Sequence, residues 1–109
     1  MSEPTITQVL GAGASQTATT ITIAKADLPG LTPAANNTAE SLVVGIALKV
    51  QAGLPQSGLE TNLDQSLYVE KGFTSFITRG ENNDEYRVDQ LVLNMIKPDT
   101  GTIIDPDDY

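Results

Sequence analysis

The sequence predicts an α+β fold: an antiparallel sheet of about four to six strands with one central helix, about 38–52, against a face. Two observations carry this. Residues 38–52 combine a polar start, an apolar spacing of three and four, and a glycine stop. Most of the remaining chain breaks into short β-branched runs separated by turn residues. The alternative is an all-β sandwich, because Leu42-Val43-Val44-Gly45-Ile46 also suits a buried strand and Gly45 costs a helix about 1 kcal/mol against Ala.

The helix is framed by Asn37-Thr38-Ala39-Glu40, an Asn N-cap three residues ahead of a Glu, as in a capping box. Leu42, Ile46 and Val50 then stand at i, i+4 and i+8, with Val43 and Ala47 beside them. Gly53 sits at the stop, with Leu54-Pro55 behind it. Apolar residues surround most of this helix, which predicts burial on more than one side, either at the centre of the fold or in an oligomer contact.

Before the helix, Thr5 to Leu10 reads as a strand, 11–17 as a loop, and Thr19 to Ile23 as a strand alternating Thr with Ile. Lys25 to Leu28 fits one helical turn, closed by Pro29-Gly30. After the helix, 56–65 reads as a polar linker. Ser66 to Glu70 and Thr74 to Thr78 are short strands joined at Lys71-Gly72. Residues 79–84 form a turn cluster, and Glu85 to Lys97 is the longest strand. Its apolar phase switches from Tyr86 and Val88 to Leu91, Leu93 and Met95, which predicts a β-bulge near Asp89-Gln90 or a strand end covered on both sides. Pro98-Asp99-Thr100-Gly101 turns the chain, Thr102 to Ile104 offers a last pairing, and 105–109 is an acidic tail. The whole of 1–109 reads as one domain.

The segments Ile21-Thr22-Ile23 through Leu31-Thr32-Pro33, Asn36 to Glu40, and Arg79 to Arg87 resemble a family of small uncharacterised cyanobacterial proteins. That resemblance implies a bacterial source and brings no activity, cofactor or site residue with it.

Composition removes most catalytic chemistry. The chain has no Cys and no His, so thiolate nucleophiles, disulfides, zinc and haem sites and the usual neutral-pH general base all drop out. Gly11-Ala12-Gly13 begins like a dinucleotide loop, but Gln16 stands where the third small residue belongs and β-prone threonines follow. Carboxylate pairs lack the aromatic platforms of a glycosidase cleft, and Lys25, Lys49 and Lys71 stand alone. The prediction is a non-enzyme with no cofactor and no small-molecule substrate.

Net charge is −8, with six acids and four bases in 1–80 but eight acids and two bases in 81–109. Phosphate backbones are repelled, so nucleic acid is not an expected partner. No apolar run approaches the ~18 residues of a membrane span, and the start lacks a signal-peptide pattern, so the expected location is soluble and cytoplasmic.

Three functional readings remain. The first is an interaction or assembly module that self-associates or takes a protein partner, because a chain with few aromatics builds a small core that a partner surface completes. Its interface candidates are Leu42, Val43 and Ile46 on the helix, with Tyr68, Phe73, Phe76, Tyr86, Arg79 and Arg87 in the β region. The blander expectation is that these rings fill the core and that the arginines pair with carboxylates of the Glu81–Glu85 turn. The second is a Ca²⁺-responsive module using Asp99, Asp105, Asp107 and Asp108, which have oxygen ligands but no EF-hand spacing, so that a solvated acidic tail is the simpler reading. The third is an acidic decoy of a nucleic-acid-binding protein.

Overall fold

The computed structural model describes residues 3–97 and 104–109, and its fold class is α+β. The longest element is helix α2, Ala39–Gly53. Around it, among the described residues, lie two short helices, α1 (Ile6–Leu10) and α3 (Gly58–Thr61), and six strands. The strands form three separate two-stranded antiparallel ladders instead of one sheet. They are β1 (Ser15–Gln16) with β2 (Ile21–Thr22), β3 (Leu67–Lys71) with β6 (Leu91–Met95), and β4 (Ser75–Arg79) with β5 (Asp84–Val88).

Residues 5–10, expected as a strand, are instead α1 capped by Thr5. Thr5 Oγ1 accepts the Gln8 N–H at 3.2 Å, and Gln8 Oε1 accepts the Thr5 N–H at 2.8 Å. This reciprocal pair satisfies two orphan donors at once, and it outweighs the β-branched composition of the segment. The second expected strand, 19–23, keeps only Ile21–Thr22, which folds back on Ser15–Gln16. Lys25–Asp27 is a single 3₁₀ turn, as the sequence predicts.

Helix α2 matches its expected span within a residue, with a different cap. Thr38 is the N-cap, its hydroxyl accepting the Ser41 N–H at 3.1 Å. Asn37 folds the preceding loop instead, accepting from Ala34 N–H at 2.9 Å and donating to Thr32 O at 3.0 Å. Gly53 is the last helical residue, and Leu54 N–H donates to Val50 O at the end. Part of the supposed linker 56–65 is the turn of helix α3.

Strands β3–β4 and β5–β6 run as one long two-stranded ribbon with a break. Lys71 pairs with Leu91 and Ser75 with Val88, so three residues, 72–74, face two, Asp89 and Gln90. The expected bulge is therefore present, with its extra residue on the opposite strand. At the tip, Gly80 at φ 85° and Asn83 at φ 52° close the turn, with Asn83 N–H donating to Gly80 O.

The core is thin. Among the described residues Ala14, Leu28, Leu54 and Val69 are the buried apolar ones, and none of the described side chains is fully enclosed. Val69 N–H donates to Leu54 O at 3.0 Å, which ties the outer edge of β3 to the end of α2. Leu28 sits over Gly45, and α1 crosses α2 at Gly53, where the absent Cβ leaves room for the backbone of Gln8 and Val9. The predicted turn and pairing over 98–103 lie outside the described residues.

Candidate functional site

The distal ribbon, β4 with β5, leaves the body of the molecule uncovered. Nine of its ten residues are exposed, Val88 at its base being half-buried. Cross-strand register sorts the side chains. Ser75, Ile77 and Arg79 face Val88, Tyr86 and Asp84 on one side, while Phe76 and Thr78 face Arg87 and Glu85 on the other. The Arg79 guanidinium lies 5.2 Å from the centre of the Tyr86 ring, a cation–π contact that holds both side chains over the ribbon.

The blander expectation for the rings is overturned here. Phe73 is 87% exposed and Phe76 61%, and Tyr86 is exposed too; only Tyr68, on β3, is partly covered. A two-stranded ribbon has no second layer, so alternating residues gain no cover from either face. The arginines also choose other partners than the turn carboxylates: Arg79 stacks on Tyr86, and Arg87 bonds Asp89 Oδ2 through Nε at 3.2 Å and Nη2 at 3.1 Å.

Where the ribbon leaves the body, a groove of about 650 Å³ opens between it and α2. Its helix wall carries Val43, Val44, Ala47 and Leu48, and its ribbon wall carries Lys71, Leu91 and the paired Arg87 and Asp89. Val43 is 64% exposed and Val44 58%, an unusual exposure for adjacent valines on the central helix. Leu42 and Ile46 are half-buried. Sequence reasoning singled out Val43 but missed Val44, Lys71 and Leu91, whose shared position depends on where the ribbon crosses the helix.

The tail aspartates are engaged locally. Asp105 Oδ1 accepts the Asp107 N–H at 3.0 Å and caps a 3₁₀ turn over Pro106–Asp108. Asp108 Oδ2 meets Lys97 Nζ at 3.1 Å. Asp99 lies outside the described residues, and among those described no group of three acidic side chains converges as a metal site. Among the described residues no helix is long and apolar enough to cross a membrane.

Comparison with protein-family models, with curated proteins and with solved structures finds no match.

Proposed function

We propose that this chain is a non-enzymatic interaction or assembly module that self-associates through its uncovered β-ribbon and the exposed side of α2. One observation supports the reading: the surface exceeds that of a compact monomer of this mass. The chain exposes 8182 Å², whereas a compact monomer of 11.5 kDa exposes about 5,800 Å². Its radius of gyration is 16.7 Å, against about 13 Å for a compact domain of this length. On the ribbon Phe73, Phe76, Ile77 and Tyr86 stand in solvent, and on α2 Val43 and Val44 do. Exposed apolar patches of this kind mark contact surfaces, and a Cys-free chain suits the reducing cytoplasm.

The test is the mass in solution. Light scattering from micromolar to millimolar concentration is expected to read a mass above 11.5 kDa. A strictly monomeric species across that range overturns self-association.

A further inference from the structure

We propose that the contact is an arm in a groove: the distal ribbon of one copy, with its Ile77–Tyr86–Val88 face inward, seats between α2 and the ribbon base of a second copy. This rests on the self-association reading and specifies its geometry. The occupant is a second copy for two reasons. The first is area. The exposed surface exceeds that of a compact monomer by about 2,400 Å², and a standard interface needs only about 800 Å² from each partner. Burying one arm and one groove per copy would therefore draw on surface that the chain already leaves open.

The second reason is complementarity between two parts of the same chain. The groove presents Val43, Val44 and Leu91 beside the cation Lys71 and the Arg87–Asp89 ion pair. The arm presents Ile77, Tyr86 and Val88 on one face, with Arg79 over Tyr86, and carries three acids, Glu81, Asp84 and Glu85, around its tip. Apolar residues meet apolar residues, and the acidic tip approaches Lys71. The arm does not fill its own groove, because β4 contributes nothing to the lining and β5 contributes only Arg87.

The native chain has no cysteine, so single thiols report contacts cleanly. One preparation carries Ile77→Cys on the arm and another carries Val44→Cys in the groove; both positions are exposed, and circular dichroism verifies the fold of each. Mixed and mildly oxidised, the two are expected to form an arm-to-groove disulfide, while neither variant alone crosslinks. Self-crosslinking of Ile77→Cys with a scattering mass still above 11.5 kDa overturns the arm in the groove and leaves self-association standing. A multimer without any crosslink does the same. A monomer without a crosslink overturns both. As a second measurement on an otherwise native chain, Lys71→Glu is expected to raise the dissociation concentration more than tenfold; an unchanged value overturns the proposal.

Discussion

Gln90 closes the break in the β-ribbon over Gly72: its carbonyl accepts the Gly72 N–H at 2.7 Å, and its side-chain Oε1 accepts the Phe73 N–H at 3.2 Å. One residue thus satisfies two consecutive donors that the bulge would otherwise leave unpaired. A Cβ on Gly72 would collide with the same carboxamide, so the glycine leaves the space that the glutamine side chain occupies.

Gly72→Ala is therefore expected to displace the Gln90 carboxamide and destabilise by about 1 kcal/mol, the worth of one hydrogen bond. Gln90→Ala alone loses the same bond at a similar cost. The double variant has already lost the bond and no longer has the collision, so its penalty falls below the sum of the singles. Urea midpoints of the four proteins measure the coupling; strict additivity contradicts the arrangement.

Two glycines in α2 face different neighbours and predict different outcomes. A Cβ on Gly53 would stand 2.5 Å from the Gln8 carbonyl oxygen and 2.7 Å from Val9 Cα. Backbone cannot rotate away, so Gly53→Ala forces α1 off α2, with an expected loss of about 1–3 kcal/mol. On Gly45 the Cβ would meet the Leu28 side chain at 3.2 Å. That tight fit offsets the roughly 1 kcal/mol of helix propensity gained, leaving Gly45→Ala within about 1 kcal/mol of the parent. Thermal melts of the pair should separate clearly, with Gly53→Ala the lower.

The contrast between these elements explains what sequence can convey. Helix α2 was legible because its apolar spacing and Gly53 lie in sequence order, and the bulge was legible because apolar phase switches across Asp89-Gln90. Helix α1 is masked by the β-branched composition of 5–10, although the Thr5–Gln8 capping pair is present in the sequence. At the start of α2, adjacent Asn37 and Thr38 are both capable caps, and only the loop bonds of Asn37 decide between them. Phe73, Phe76 and Tyr86 were named as interface candidates, but alternation assigns a residue to a face without saying whether anything covers that face. The groove joins Val44 to Lys71 and Leu91 across long sequence separations, which no local pattern encodes.

Gln65 is the buried polar residue of the thin core, and its amide does the work of a staple. Nε2 donates to Pro55 O at 3.0 Å and to Leu67 O at 2.7 Å, joining the segment after α2 to the start of β3. Gln65→Met keeps the approximate volume and leaves both carbonyls without that donor. The expected cost is about 1–3 kcal/mol, with faster amide exchange at Val69, whose N–H bonds Leu54 beside the staple. Unchanged exchange at Val69 would separate Gln65 from the α2–β3 junction.

Two ion pairs of similar length among the described residues differ in setting, and that difference sets the last expectation. Arg87–Asp89 and Lys97–Asp108 are both 3.1 Å, yet the Arg87 side chain is 64% exposed and that of Lys97 only 17%. Solvent screens the first pair, so Asp89→Asn should leave stability within the few tenths of a kcal/mol typical of surface pairs. Water reaches Lys97 poorly, so its attraction to the Asp108 carboxylate is screened less. Asp108→Asn is expected to cost about 1 kcal/mol, at the upper end for a half-exposed pair. Salt tells the same story, because 0.5 M NaCl screens exposed charges most. Melting curves should show Asp108→Asn below the parent at both low and high salt, with Asp89→Asn indistinguishable from the parent at high salt.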